Sequence, residues 1–217
     1  MDKRLLILPA LLATLAAPAQ AEPSSRVAWT PETLALVKAG NTGHGQELAK
    51  NLGCDGCHTG STMPDAPHLA GQLATYLYRQ LHDYKDRSRA NDTMEAMAAG
   101  LSEQDMADLS AWYGKQEASA ATPAQGAVEA AQRLASQGDK QRLVPACAAC
   151  HGGGGQGQAQ DVPRLAGQKP AYLAATLQAY KKGQRHNDVY QRMRAIAATL
   201  SDEEIHQLAE YYAAQGH

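Results

Sequence analysis

Phenylalanine is missing from this 217-residue chain, and aromatic side chains make up only 5% of it. Small domains with so few rings have thin apolar cores, so another bulky apolar group has to complete them. Long hydrophobic runs are missing too. The most apolar stretch, Leu5 to Ala17, contains Pro9 and falls short of the roughly 20 residues that span a bilayer. There is no basic excess: 20 Lys and Arg face 22 Asp and Glu, a formal charge of −2. Nucleic-acid binders carry clustered basic surface, which this balance argues against. Finally, no cysteine is spare. All four fall in two stretches, Cys54-Asp55-Gly56-Cys57-His58 and Cys147-Ala148-Ala149-Cys150-His151.

A Cys-x-x-Cys pair alone fits a redox dithiol, half a zinc site or a disulfide. The histidine directly after the second cysteine points instead to covalent c-type haem attachment. Two cysteines three apart can each add to one vinyl group on the porphyrin edge, while the adjacent histidine brings its imidazole beneath the iron. Two copies predict two covalently bound haem c groups. Cys54, Cys57, Cys147 and Cys150 are the candidate anchors, and His58 and His151 the candidate proximal iron ligands. Two buried porphyrins would also supply the apolar bulk that the composition lacks.

The chain opens Met1-Asp2-Lys3-Arg4, continues through the apolar stretch and reaches Ala19-Gln20-Ala21, a small-x-small cleavage site. This reads as a secretory signal over residues 1–21. Its removal leaves a formal charge of −3. Haem of this type in a bacterial-looking exported chain implies the periplasm.

The remainder repeats itself. Pro67-His68-Leu69-Ala70-Gly71-Gln72 returns 96 residues later as Pro163-Arg164-Leu165-Ala166-Gly167-Gln168. In the same register Tyr76 matches Tyr172, Tyr84 matches Tyr180, Arg89 matches Arg185 and Asn91-Asp92 matches Asn187-Asp188. A shared register of this extent means a duplicated domain. The expected division is 22–117 and 127–217, joined by an Ala/Ser/Thr/Pro/Gln linker over 118–126. Tyr76, Leu77, Leu81 and Tyr84 have helical spacing and predict a core-facing stripe, in which the tyrosines are candidates to hydrogen-bond haem propionates. Ser102 and Ser201 each start a capping box for a terminal helix. A loop over Gly138 to Pro145 is present only in the second copy, and a short helix from Pro31 through Leu34 to Val37 has no function assigned to it.

A low-spin electron-transfer haem needs a sixth ligand, and methionine is the usual partner of histidine. Met193 is the only methionine of the second copy. The first offers Met63, Met94, Met97 and Met106. Counted back from the Leu-Ser pair before the terminal helix, Met94 aligns with Met193 and Met97 with Ile196; counted forward from Asn91-Asp92, Met97 aligns with Met193. The backward register, and so Met94, is preferred because the capped helix anchors the ligand loop. Met106 reads as a helix-face core residue, and Met63 follows His58 too closely. Pro67 and Pro163 are placed to offer backbone carbonyls to the proximal imidazoles, or serve simply as turns. His68 and His82 are replaced by Arg164 and Gln178 in the second copy and read as surface residues.

In combination these motifs resemble the dihaem cytochromes c4, over about residues 43–217. The resemblance implies an all-α fold of two tandem class I cytochrome c domains related by a pseudo-twofold axis, each wrapped around a covalent haem, with the propionates facing one another. It also implies His58 and His151 as proximal ligands and Met94 and Met193 as distal ones. Two departures stand out: His58 is followed by Thr59-Gly60-Ser61-Thr62 rather than a Gly-rich turn, and the loop to Pro67 is three residues shorter than its counterpart. The expected function is electron carriage, not enzyme catalysis. The expected partners are a quinol-oxidising complex or dehydrogenase upstream and a terminal oxidase or reductase downstream. The alternative is the electron-accepting subunit of a periplasmic dehydrogenase, such as one oxidising a sulfur compound. A dihaem peroxidase would need an openable iron position, which a methionine in each copy argues against.

Overall fold

The computed structural model describes residues 24–59, 63–126, 128–158 and 160–216. The signal segment 1–21 and residues 60–62 lie outside the described residues. Among those described there is no strand, only two isolated bridges, Asp139 with Val144 and Gln158 with Val162.

The first domain contains α1 (Pro31–Lys38), α2 (Thr42–Leu52), α3 (Asp55–His58), α4 (Ala74–Lys85), α5 (Asp92–Ala99) and α6 (Glu103–Lys115). The second contains α7 (Glu129–Gln137), α8 (Ala148–His151), α9 (Pro170–Lys181), α10 (Arg192–Thr199) and α11 (Asp202–Ala213). The terminal helices form as their sequences dictate. Ser102 and Ser201 each accept from the backbone N–H three residues on, and Asp105 and Glu204 return the bond to the cap N–H, which satisfies two orphan donors per helix. Met106, Leu109 and Tyr113 of α6 enter one core with Leu77 and Val37. Ile205, Leu208 and Tyr212 of α11 enter the other with Leu173 and Val144.

α2 begins at Thr42 because the Asn41 side chain accepts from the Gly43 and His44 N–H groups, at 2.9 and 3.1 Å. The His44 ring then meets Asp108 of α6 at 2.7 Å. The α4 stripe differs from expectation. Leu77 and Leu81 face the core, and the deepest ring is Tyr78, 2% exposed. Tyr76 and Tyr84 instead turn towards the other domain, as do the buried Arg79, Gln80 and Asp83. A helix pressed between its own core and a second domain buries polar positions that amphipathic periodicity would assign to solvent.

The two domains meet through reciprocal contacts. Gln72 donates from Nε2 to the Arg164 carbonyl at 2.9 Å and accepts from its N–H at 2.8 Å. Gln168 does the same to His68, at 3.0 and 2.8 Å. Since Gln168 is the repeat of Gln72 and Arg164 of His68, the seam is self-complementary about a pseudo-twofold axis. Gly71 and Gly167 explain the repeated glycine. Both have φ +69°, both donate to a terminal-helix carbonyl, and a Cβ would come within 2.3 Å of Ala118 and 2.5 Å of the Ser119 carbonyl respectively.

Candidate haem sites

Each Cys-x-x-Cys-His motif winds into one helical turn. The His58 N–H donates to the Cys54 carbonyl at 3.1 Å, and the His151 N–H to that of Cys147 at 2.9 Å. The turn sets both cysteines of a pair on one face and fixes the histidine beside them. No disulfide joins any of the four cysteines. Cys54 packs against the first core and Cys147 against the second; burial pushes both thiols up from their ordinary pKa.

The imidazoles are held identically. His58 Nδ1 lies 2.8 Å from the Pro67 carbonyl and His151 Nδ1 lies 2.9 Å from that of Pro163. A carbonyl only accepts, so Nδ1 carries the proton and the Nε2 lone pair is left for a metal. Burial lowers both pKa values, which favours the neutral ring that ligation needs. The prolines therefore do more than punctuate a turn. Loops of different length deliver them to the same place.

Met94 lies in α5, where its N–H donates to the Asn91 cap at 3.0 Å, and Met193 in α10. In both helices the five residues from the methionine share one burial pattern, with the first, second and fourth half-buried and the fifth, Ala98 or Ala197, buried. Leu101 and Leu200 then bond back to those alanines. In this register Met97 is the counterpart of Ile196, which packs on the second core. Met106 is fully buried in the first core and Met63 is half-exposed. His68 and His82 are half-buried rather than superficial: the first bonds Gln168 across the seam through its backbone, and the second lies beside Tyr78 and Asp86.

The seam itself holds unmatched positive charge. Arg89 donates to Tyr172 Oη at 3.1 Å, and its repeat Arg185 donates to Tyr76 Oη at 2.9 Å. Each guanidinium also stacks on a tyrosine of its own domain, Tyr84 at 4.6 Å and Tyr180 at 4.7 Å. Among the described residues neither forms an ion pair with a carboxylate. Burial would push the Tyr172 phenol up, but the two guanidiniums outweigh it and hold its pKa below the usual range. Two buried cations amid phenols make a receptor for anionic groups. A propionate-bearing porphyrin at each motif supplies such groups, so the residues present fit haem. Sequence reasoning reached the tyrosines, but it treats Arg89 and Arg185 only as repeat identities. It misses Gln80, whose Oε1 accepts from Arg89 Nη1, Arg185 Nη2 and Asn187 Nδ2 at 2.8, 2.9 and 3.0 Å, because the second copy has Thr176 there.

A family model described as cytochrome c matches residues 43–115 and 129–213. A cytochrome c4 of Thiocapsa roseopersicina is 38% identical over 162 residues, covering 74% of this chain and 84% of that protein. A protein of Stutzerimonas stutzeri named thiosulfate dehydrogenase electron acceptor is 37% identical over 172 residues, covering 76% and 80%. The crystal structure of reduced recombinant cytochrome c4 from Pseudomonas stutzeri superposes with a TM-score of 0.76 at 33% identity, over 82% of this chain and 100% of that one. With two attachment motifs on two like domains, the chain belongs to the cytochrome c family as a dihaem cytochrome of the c4 kind, carrying two covalent haem c groups.

Proposed function

We propose that the protein is a periplasmic electron carrier, exported by cleavage after Ala21, that passes single electrons between a respiratory donor and a terminal oxidase or reductase. It is proposed to act without catalysing a reaction of its own. The haem iron supplies one-electron chemistry at each site. Cys54 and Cys57 anchor the first porphyrin and Cys147 and Cys150 the second. His58 and Met94 would ligate the first iron, and His151 and Met193 the second. The Pro67 and Pro163 carbonyls orient the imidazoles, while Arg89, Arg185, Tyr76 and Tyr172 would receive the propionates. The domains run 22–117 and 127–217 with the linker at 118–126.

The observation that carries this reading is the pair of Nδ1–carbonyl bonds at 2.8 and 2.9 Å, which prepares two equivalent imidazoles on either side of one seam. The test is a spectroscopic redox titration. Two one-electron steps are expected, and rapid binding of cyanide or carbon monoxide to one haem at neutral pH would instead indicate an open, enzyme-like iron.

Charge supports a docking role. Residues 22–117 carry net −5 and residues 118–217 net +2, so donor and acceptor can be steered to different ends. Association rates insensitive to salt with both partners would refute this. A second reading, the electron-accepting subunit of a periplasmic dehydrogenase, is favoured by the relative named thiosulfate dehydrogenase electron acceptor. Stable co-purification with a catalytic chain distinguishes it from a free carrier.

A further inference from the structure

The segment before the family match, residues 24–42, has no role in ligating or attaching haem, yet its side chains are engaged. Val37 is buried in the first core, and Val27, Trp29 and Leu36 pack against it. The Trp29 ring lies 6.3 Å from that of Tyr78. Its indole N–H then leaves the first domain and donates to Asp161 Oδ2 of the second at 3.0 Å. Arg79 of α4 takes the other oxygen, Nη1 to Oδ1 at 2.8 Å, and also donates to the Asn187 carbonyl. Further back, Ser25 Oγ donates to the buried Asp83 at 2.6 Å, and Asp83 in turn accepts from Asn187 Nδ2 at 2.7 Å.

Asp161 reaches this place because the second copy has the longer loop after its histidine. The bridge between Gln158 and Val162 closes the loop's tip. Gln160 there has φ +72° and is pinned by its N–H to Thr75 Oγ1, whose hydroxyl donates back to the Gln160 carbonyl, both at 3.0 Å. A non-glycine residue in the left-handed region is strained and persists where its surroundings over-determine it. None of this obeys the pseudo-twofold axis. The chain preceding the second copy runs instead along α11, with Thr122 bonded to the Ala213 carbonyl at 2.8 Å.

We infer that residues 24–38 form a strap, with Asp161 as its latch, that locks the two domains in one relative orientation. The reciprocal glutamine contacts are neutral hydrogen bonds, of the sort that leaves tandem domains free to move. The latch adds a carboxylate that engages two donors of the first domain at once. One donor, Arg79, has a side chain only 3% exposed, so letting go leaves that cation only one of its two carboxylate partners, Asp83 at 3.5 Å. Asp161 is thus a positioning residue: it holds the spacing of the two haem sites and with it the rate of electron exchange between them. That last consequence rests on the carrier reading above, whereas the lock itself does not.

The test uses the full-length holoprotein and its Asp161→Ala and Trp29→Phe variants. The second keeps an aromatic ring against Tyr78 and loses the N–H. Opening is read by elastase cleavage within 118–126, whose start packs against Gly71 and Gly167 in the closed form, and by the radius of gyration in X-ray scattering. Asp161→Ala should speed cleavage about tenfold or more and widen the scattering profile, with a smaller change in the same direction for Trp29→Phe. Arg142→Ala, which removes an ion pair with Glu204 inside the second domain, should leave both unchanged. If Asp161→Ala loses its helical signal, Trp29→Phe alone decides. Cleavage and scattering at wild-type values in a folded Trp29→Phe overturn the lock. If the domains open but the electron exchange rate measured by pulse radiolysis stays the same, the lock stands and its link to electron transfer fails.

Discussion

Replacing Gln80 by leucine tests whether the seam is built around buried cations. The Gln80 Oε1 atom accepts from three donors, Arg89 Nη1, Arg185 Nη2 and Asn187 Nδ2, at 2.8–3.0 Å, in a residue 6% exposed. Leucine conserves the volume and leaves the three N–H groups facing a methyl. Each unsatisfied buried donor costs about 1–3 kcal/mol. Arg185 and Asn187 retain bonds to Tyr76 and Asp83, so the low end applies and the total comes to roughly 3–5 kcal/mol. That is a large share of the roughly 5–15 kcal/mol by which a folded protein is stable. The assay is equilibrium urea unfolding of the holoprotein followed by far-ultraviolet circular dichroism. The repeat-related position holds Thr176, and Thr176→Val, which removes a single hydroxyl, should cost only about 1 kcal/mol. A loss of about 1 kcal/mol or less for Gln80→Leu would refute the reasoning. Gln80→Glu sharpens it. On the proposal that propionates neutralise the arginines, an added buried carboxylate should destabilise; a more stable protein would mean that the cations have no anionic partner.

Met94→Ala should abolish the Met–Fe(III) charge-transfer band of the first haem while Met97→Ala preserves it; the reverse pattern would move the ligand to Met97. Gly71→Ala and Gly167→Ala combine a left-handed backbone with close approach to the linker and should each cost about 2–4 kcal/mol, against about 1 kcal/mol for Gly53→Ala, where φ is also positive but nothing lies within 4 Å. The hydrogen bond to Asp108 raises the His44 pKa above its ordinary value, so its contribution to joining α2 and α6 is fully present below about pH 6.5 and fades as the pH rises through the raised value. His44→Gln should flatten that part of a stability–pH profile, and an unchanged profile would discount the pair. Asp55 and Lys169 both act electrostatically on His58, with opposite sign. Asp55→Ala should raise the first haem's potential and Lys169→Met lower it, each by about 1 kcal/mol or ~40 mV for one electron; shifts of like sign would reject the electrostatic account.

What the sequence discloses is whatever the duplication wrote twice. The two attachment motifs, the two capping boxes, the Pro-x-Leu-Ala-Gly-Gln turns and the proline carbonyls behind the histidines all recur, and each has a local chemical reason. Properties that depend on the second domain are not legible from one copy. The Tyr76 and Tyr84 positions have the spacing of a core stripe, and only the presence of Arg185 across the seam reveals why they are polar-tipped rings. Arg79, Gln80 and Asp83 sit where helical periodicity promises solvent. α2 starts at Thr42, ahead of its first large apolar residue Leu48, because Asn41 caps it locally and Asp108 of α6 holds both the Asn41 N–H and the His44 ring. Trp29 bonds a residue 132 positions away, beyond the reach of any local pattern.

Duplication by itself would give two equal haems, and the features that orient the proximal ligands are indeed equal to within 0.1 Å in the Nδ1–carbonyl distance. Any difference in potential between the sites therefore has to come from residues that the copies do not share. Four of those differences make polar contacts that have no counterpart in the other copy. Asp55 faces Tyr113 at 2.7 Å where the second motif has Ala148. Lys169, standing where the first copy has Leu73, donates to the Met63 carbonyl of the other domain at 2.9 Å. Gln80 stands where the second copy has Thr176, and the latch at Asp161 has no twin. All but Asp55 lie at the seam, and all act through charge or hydrogen bonding rather than through the ligand set. With the ligand set proposed above, the chain keeps one ligation chemistry at both irons and places its asymmetry where an electron must cross between them, which lets the difference between the two sites be tuned without rebuilding either one.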